Sequence, residues 1–135
     1  MLLVVDDDQR MSSLVATTAQ EMRFETLTIN SAAALLKILP TVEVDGIVMD
    51  IVMPGMDGIE LLRHLSAQKC RVPIILMSGF NPMYMRMADT IGSGDHLNIV
   101  ATLQKPFEIE TLESALRLLE KQTASAQTTE MPNDK

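Results

Sequence analysis

The stretch that decides the fold is GIVMD, residues 46–50, an apolar run that ends in an aspartate. A second run, LLVV at residues 2–5, is followed by Asp6 and Asp7, and a third, at residues 73–77, is followed by Ser78. These runs have the length of strands, are rich in valine, leucine and isoleucine, and do not alternate between polar and apolar residues. That pattern is typical of a parallel sheet covered on both faces.

Stretches with helical periodicity separate the apolar runs. Asp8 stands where the N-cap of a first helix is expected, and the apolar face of that helix comprises Met11, Leu14, Val15, Thr18 and Met22. Further helices are predicted at residues 31–39 (ended by Pro40), from residue 58 onward, at residues 82–91, and around a fifth stripe of Ile109, Leu112, Leu116 and Leu119. Weaker strands are predicted at residues 26–29 and 101–104.

The β-α alternation predicts an α/β fold with a doubly wound, five-stranded parallel sheet and five helices. By analogy with flavodoxin-like folds we expect the strand order 2-1-3-4-5. One domain over residues 1–122 is expected, followed at 123–135 by a polar segment interpreted as a disordered tail or a severed linker.

Composition excludes several classes of function. A net charge of −7 disfavours a nucleic-acid surface and adsorption to anionic lipid. Cys70 is the only cysteine, so no intrachain disulfide can form. No apolar run is long enough to span a membrane. We therefore expect a cytoplasmic protein.

Polar residues follow four of the predicted strands, where ligands bind in open α/β sheets. The first and third strands would bring together the carboxylates of Asp6, Asp7 and Asp50, with Ser78 and Lys105 alongside. Carboxylates at close quarters repel one another, so a cation is needed between them. Oxygen ligands without histidine or cysteine favour Mg²⁺.

A metal ion beside a carboxylate, a lysine and a hydroxyl provides the groups that phosphoryl transfer requires. Asp50 would be the nucleophile that forms an aspartyl phosphate. Mg²⁺ and Lys105 would neutralise the phosphoryl oxygens, and Ser78 would donate a hydrogen bond to one of them.

The chain closely resembles the receiver domains of two-component response regulators over about residues 2–122. The motifs that carry the resemblance are VVDD (4–7), MDIVMPGMDG (49–58), ILMSG (75–79) and KPF (105–107). The resemblance implies that Asp50 is the phosphoacceptor, that Asp7 and Asp50 bind Mg²⁺ directly, and that Asp6 acts mainly through water. The backbone carbonyl of Val52 is implied as a further ligand.

The resemblance also assigns Ser78 and Lys105 as the pair that senses the phosphoryl group, and it implies a cis Lys105–Pro106 bond. Two features depart from the family pattern. Thr102 stands at a switch position that is commonly aromatic, and the segment 92–98 is longer than usual. Val52 and Phe80 are apolar at the two positions expected to flank the attacking water, which predicts a long-lived phosphoryl group.

Several functions compete at this point. The leading one is a receiver phosphorylated by a histidine kinase or a histidine phosphotransfer protein. Phosphorylation would then change the face of the fourth helix, fifth strand and fifth helix toward an unidentified partner or effector, or form a homodimer. A receiver-like module that takes no phosphate is the alternative. A Mg²⁺-dependent aspartyl phosphatase is disfavoured because Val52 stands where a second acid is wanted. The acidic loop after the first strand disfavours a nucleotide or flavin site.

Overall fold

The strands form a single parallel sheet. The computed structural model describes residues 1–52, 58–68, 70–79, 86 and 97–130. The strands are β1 (Leu2–Val5), β2 (Thr26–Ile29), β3 (Gly46–Asp50), β4 (Pro73–Ser78) and β5 (Asn98–Gln104). Every pairing is parallel and the order is β2-β1-β3-β4-β5. The predicted architecture and strand order are confirmed.

Within the described residues there are four α-helices, namely α1 (Gln9–Glu21), α2 (Ala32–Ile38), α3 (Gly58–Ala67) and α4 (Ile109–Glu130). Pro40 lies in a 3-10 turn, Leu39–Thr41, that follows α2 directly. Helix α4 is the fifth helix of the sequence prediction. The helix predicted at residues 82–91 lies outside the described residues, apart from Arg86, so a fifth helix is not shown.

Both faces of the sheet are buried. Side chains alternate along each strand, so that Leu3 and Ile47 contact the layer with α2 and α3, whereas Leu2 and Val48 contact the layer with α1 and α4. This burial on two faces explains why the central strands are apolar without interruption.

Helix α4 packs very closely on the centre of the sheet at Gly46. A Cβ atom at that position would lie 2.5 Å from a methyl carbon of Leu119. Because Leu119 is buried, it has little room to move away. A larger residue at the start of β3 would therefore force the Leu119 side chain to shift.

Two large apolar residues of the predicted inward stripes are exposed, which corrects the prediction for them. They are Leu14 of α1 and Ile109 at the start of α4. The buried face of α1 is built mainly from small residues, namely Ser12, Val15, Ala16, Thr18 and Ala19. Small side chains allow α1 to approach the sheet closely, so the inward face does not follow the largest apolar residues.

Strand β5 begins at Asn98, three residues before the predicted start at residue 101. Pairing with β4 steps from Ile99 to Ala101 and leaves Val100 as the extra residue of a β-bulge. Beyond the bulge, Thr102 pairs with Leu76 and is exposed. The bulge therefore sets which face of the sheet Thr102 lies on.

Helix α4 continues through residues 123–130, where the composition predicts a tail or linker. The last buried residue of α4 within the described side chains is Leu119, and Gln122 accepts a hydrogen bond from Asn98 at 3.5 Å. The domain boundary at residue 122 stays a prediction.

The end of α1 contains a residue in the left-handed region, Arg23, with φ of 72°. Its amide and that of Phe24 donate to the last carbonyls of the helix, those of Gln20 and Ala19. A residue with a Cβ is disfavoured in this conformation, whereas glycine is not.

We expect Arg23→Gly to raise the free energy of unfolding by about 0.5–1 kcal/mol, after allowance for the greater freedom of glycine in the unfolded chain. Urea unfolding followed by circular dichroism measures the change. Glu21→Gly, at the last residue of α1, is the control and should lower stability by up to about 0.5 kcal/mol. A variant Arg23→Gly no more stable than the parent would contradict the expectation.

Candidate functional site

The candidate site lies at the carboxyl ends of the strands. Asp6 follows β1, Asp50 is the last residue of β3, Ser78 is the last of β4, and Lys105 follows β5. Strands β1 and β4 flank β3 in the sheet, so these ends are neighbours. The sheet order thus brings together residues that are far apart in the sequence.

Three carboxylates cluster at this edge, as the sequence predicts. Asp6, Asp7 and Asp50 each offer an oxygen within 4.8 Å of the others. Asp6 and Asp50 are only 1% and 7% exposed, whereas Asp7 is exposed. The cluster therefore has two buried acids and one acid open to solvent.

The ammonium group of Lys105 contacts both buried carboxylates. Its Nζ lies 2.7 Å from Oδ2 of Asp50 and 3.4 Å from Oδ2 of Asp6. Burial on its own would lower the pKa of Lys105, but the hydrogen bond and negative charge of Asp50, with a smaller effect of Asp6, raise that pKa above its usual range. The lysine is therefore charged at neutral pH.

Burial raises the pKa of Asp6, and the negative charge of Asp50 raises it further. The amide of Asp8 and the charge of Lys105 offset only part of this effect. A carboxyl group with a raised pKa in the folded state loses stability as the pH rises through that pKa. Ionised Asp6 is thus held at a cost in folding free energy, which a further cation would reduce.

The carboxylate of Asp50 is held at both oxygens. The amide of Val52 donates to Oδ1 at 2.9 Å, and Lys105 donates to Oδ2 at 2.7 Å. The chain after β3 is also fixed, because the amide of Ile51 donates to the carbonyl of Met77 in β4 at 3.0 Å. Asp50 therefore has a set orientation beside the other two acids.

Ser78 and Lys105 are joined through the backbone, since the Lys105 amide donates to the Ser78 carbonyl at 2.6 Å. Ser78 is buried, and its hydroxyl makes a long contact of 3.4 Å with the Gly79 carbonyl. A hydroxyl in so weak a contact is free to turn to a better acceptor. The predicted cis bond between Lys105 and Pro106 is confirmed.

Of the two residues predicted to flank the attacking water, Val52 lies within the described residues and Phe80 does not. Val52 is 50% exposed beside Asp50. Phe80 lies outside the described residues. Thr102 is exposed on β5, two residues before the end of that strand.

Ser12 is a residue of the site that the sequence interpretation missed. Its hydroxyl donates to the carbonyls of Asp6 and Asp8. The signal available in the sequence was a serine four residues after an N-cap aspartate, where it can bond back to the start of the helix. Asp8 caps α1 as predicted, by accepting from the amides of Arg10 and Met11.

A cleft of about 440 Å³ opens beside the acids. It lies between the first turns of α1 and helix α2, and its lining includes Asp7, Ser13, Asn30 and Ile38. In the part of the chain that the structure describes, no helix is long and apolar enough to cross a membrane.

Comparison with known proteins agrees with this geometry. The transcriptional regulatory protein FixJ of Bradyrhizobium diazoefficiens is 33% identical over 123 residues, which is 88% of this chain and 58% of that protein. PhoP of Bacillus subtilis, an alkaline phosphatase synthesis transcriptional regulatory protein, is 26% identical over 98% of this chain and 54% of its own length. The chain thus spans about half the length of these relatives.

Two solved structures match this chain over nearly their full length. The receiver domain of NtrX from Brucella abortus has a TM-score of 0.77 at 28% identity, covering 89% of this chain and 98% of that one. The structure called FixJ-N also gives 0.77 at 28% identity, covering 89% and 92%. The sequence model of the response regulator receiver domain matches residues 2–117. The chain therefore belongs to the receiver domain family of response regulators.

Proposed function

We propose that this domain is phosphorylated on Asp50 in a Mg²⁺-dependent reaction, with a histidine kinase or a histidine phosphotransfer protein as donor. Receiver domains of response regulators are signalling domains that pair with histidine kinases and effector domains, and they are generally Mg²⁺-dependent. The observation that carries the proposal is the carboxylate of Asp50, held at both oxygens and clustered with Asp6, Asp7 and Lys105.

The acids fit Mg²⁺ by their chemistry. All the side-chain donors in the cluster are carboxylate oxygens, which this hard cation prefers. The raised pKa of Asp6 supports the same assignment, because a bound cation would offset its burial and the repulsion from Asp50. Asp7 and Asp50 would be direct ligands with the Val52 carbonyl, and Asp6 would act mainly through water.

The chain's own groups would carry out the rest of the reaction. An oxygen of Asp50 attacks phosphorus, and the bond between phosphorus and the donor breaks. Lys105, already beside Asp50, pairs with the phosphoryl oxygens, and Ser78 turns its weakly held hydroxyl toward one of them. When bound at the acidic cluster, Mg²⁺ would supply positive charge that offsets the charge developing in the transfer.

The function is tested by incubating the protein with acetyl phosphate and Mg²⁺ and measuring its intact mass. We expect one added phosphoryl group with Mg²⁺ and almost none with a chelator. Equal phosphoryl addition with Mg²⁺ and with a chelator would contradict the proposed metal site. No addition with Mg²⁺, from acetyl phosphate or from a set of histidine kinases, would favour the alternative, an interaction module that takes no phosphate.

Output would use the face formed by β5, by α4 and by the helix predicted from the sequence at residues 82–91. In support, Thr102 on β5 and Leu118 on α4 are both exposed. Thr102 is too small to swing between a buried and an exposed pocket as an aromatic ring does. The switch would therefore involve the segment before β5. The partner is an effector or a second copy of the domain. A cytoplasmic location stays a prediction from the sequence.

The phosphoryl group is expected to be long-lived, because the side chain beside Asp50 is that of Val52, which cannot orient a water molecule. We expect Val52→Asn to speed loss of phosphate about tenfold, equivalent to about 1.4 kcal/mol of barrier. Release of phosphate after removal of the donor gives the rate. Val52→Ala is the control, since it opens space without adding a polar group. Similar rates in the two variants would show that polarity at this position is unimportant.

A further inference from the structure

The loop after β1, which contains Asp6, Asp7 and Asp8, is held by hydrogen bonds within the loop and to the start of α1. The amide of Asp8 donates to Oδ1 of Asp6 at 2.9 Å. Oδ1 of Asp8 in turn accepts from the amides of Arg10 and Met11 at 3.0 and 3.5 Å. These contacts fix the residues on either side of Asp7. Asp7 itself is exposed, so the backbone on either side of it contributes to the placement of its carboxylate.

The hydroxyl of Ser12 reaches this loop from α1. It is shared between the carbonyl oxygens of Asp6, at 3.2 Å, and of Asp8, at 3.0 Å. Ser12 is 6% exposed, and its amide also donates to the Asp8 carbonyl at 3.0 Å. The two carbonyls belong to the residues immediately before and after Asp7. The hydroxyl therefore ties both flanks of Asp7 to the first turns of α1.

We propose that Ser12 is a positioning residue for the Mg²⁺ site, which it serves by holding the backbone on both sides of Asp7. The inference rests on the proposed function. Through these two bonds the Asp7 carboxylate stays beside those of Asp6 and Asp50, within the 4.8 Å that the cluster shows. Hydrogen bonds that orient a metal ligand affect metal affinity strongly, commonly tenfold or more.

Thr18 provides a comparison for one of the two bonds that the Ser12 hydroxyl makes. It lies in the same helix, is 5% exposed, and its hydroxyl donates to the Leu14 carbonyl at 2.8 Å. This is the same bond to the carbonyl four residues earlier that Ser12 makes with Asp8. Ser12 differs by its additional bond to Asp6, outside the helix. Thr18 is thus a natural control for a buried hydroxyl of α1 without a role at the site.

The experiment compares Ser12→Thr with Ser12→Val, which have nearly the same shape and differ in the hydroxyl. Thr18→Val against the parent repeats that exchange away from the site. Mg²⁺ is titrated into the metal-free proteins and followed by amide NMR shifts. We expect Ser12→Val to bind Mg²⁺ about tenfold more weakly than Ser12→Thr. Thr18→Val should bind within about twofold of the parent, because it keeps the loop intact.

Phosphoryl uptake gives a second measurement that a purely structural role would not change. Ser12→Val should need about tenfold more Mg²⁺ for half-maximal uptake, while its rate at saturating Mg²⁺ stays within about twofold of that of Ser12→Thr. This separation arises because the hydroxyl places a ligand and does not contact the reacting atoms.

Equal Mg²⁺ affinities of Ser12→Val and Ser12→Thr would overturn the inference, as would an equal loss in Thr18→Val. If the larger side chains prevent folding, Ser12→Ala against the parent decides by the same tenfold criterion, since it adds no atoms. A parent protein that binds Mg²⁺ and takes up phosphate while Ser12→Val behaves identically overturns the role of Ser12 alone. A parent that does neither overturns the proposed function.

Discussion

Asp50→Asn is expected to lose phosphoryl uptake from acetyl phosphate by at least about a hundredfold. The amide of asparagine keeps the shape of the side chain but is a far weaker nucleophile than a carboxylate. The structure holds both oxygens of Asp50, one by the Val52 amide and one by Lys105, which orients the carboxylate for attack. The exchange should therefore remove the nucleophile. It also costs one of the two hydrogen bonds, because the amide nitrogen cannot accept from the Val52 amide or from Lys105.

The measurement is the rate of phosphoryl addition by intact mass, with the modified residue mapped after borohydride reduction of the acyl phosphate. Asp8→Asn is the matched control, because Asp8 lies in the same acidic loop but caps α1, and asparagine caps a helix equally well. The control should react at close to the parental rate. Circular dichroism establishes that both variants fold. Label that persists in Asp50→Asn, for example on the exposed Asp7, would refute the assignment.

The strands that build the site could be predicted because the central ones are buried on both faces. Such strands appear as uninterrupted apolar runs, and the first polar residue after each marks the carboxyl end of the sheet. That pattern predicts that Asp6, Asp50 and Ser78 lie close together, and the structure has them at the ends of neighbouring strands. Strand order came from analogy and not from the residues themselves.

The start of the edge strand β5 and the buried face of α1 could not be predicted in the same way. Among the described residues strand β5 pairs with β4 alone, most of the strand is half-buried, and the bulge at Val100 breaks its periodicity. In α1 the pattern favoured Leu14, but close packing on the sheet selects the small residues Ser12, Ala16 and Ala19. Packing distance is a property of the assembled layers, so no sequence period encodes it.

The ion pairs that Lys105 makes with Asp6 and Asp50 could not be predicted from the sequence either. The motif suggests that Lys105 serves a phosphoryl group. The structure shows it already engaged with Asp50 and, more distantly, with Asp6. This double contact depends on how far β5 extends past β4, which the backbone bond between Lys105 and Ser78 determines.

Lys105→Met is expected to lower the free energy of unfolding of the metal-free protein by about 1–3 kcal/mol. Methionine has a similar volume but no charge, so the buried carboxylates of Asp6 and Asp50 would lose their cation. Breaking a fully buried ion pair costs about 3–5 kcal/mol, and the smaller figure allows for the partial exposure of Lys105.

The pH dependence of this contribution follows from the raised pKa of Lys105. A base whose pKa is higher in the folded state contributes stability that is fully present below its unfolded value. That stability is lost only as the pH rises through the folded-state pKa. The difference between parent and variant should therefore be present at neutral pH and disappear in strong alkali.

Mg²⁺ should stabilise Lys105→Met more than it stabilises the parent. In the parent, lysine and Mg²⁺ compete for the charge of the same carboxylates, whereas in the variant the metal meets an uncompensated cluster. Thermal unfolding followed by circular dichroism suits a protein without tryptophan. We expect millimolar Mg²⁺ to raise Tm by roughly 3 °C or more beyond the parental increase, since 1 kcal/mol shifts Tm by about 4–8 °C in domains of 60–100 residues and by about 2–4 °C in domains of 150–250 residues.

Lys121→Met, at an exposed position of α4, is the control for loss of a lysine charge and should leave both the stability and the Mg²⁺ response near parental values. Equal Mg²⁺ increments in Lys105→Met and the parent would mean that Lys105 does not compensate the carboxylates. A larger increment combined with a loss of phosphoryl uptake would separate two roles of this lysine. It would then neutralise the acids in the resting site and pair with the phosphoryl group once Asp50 has reacted.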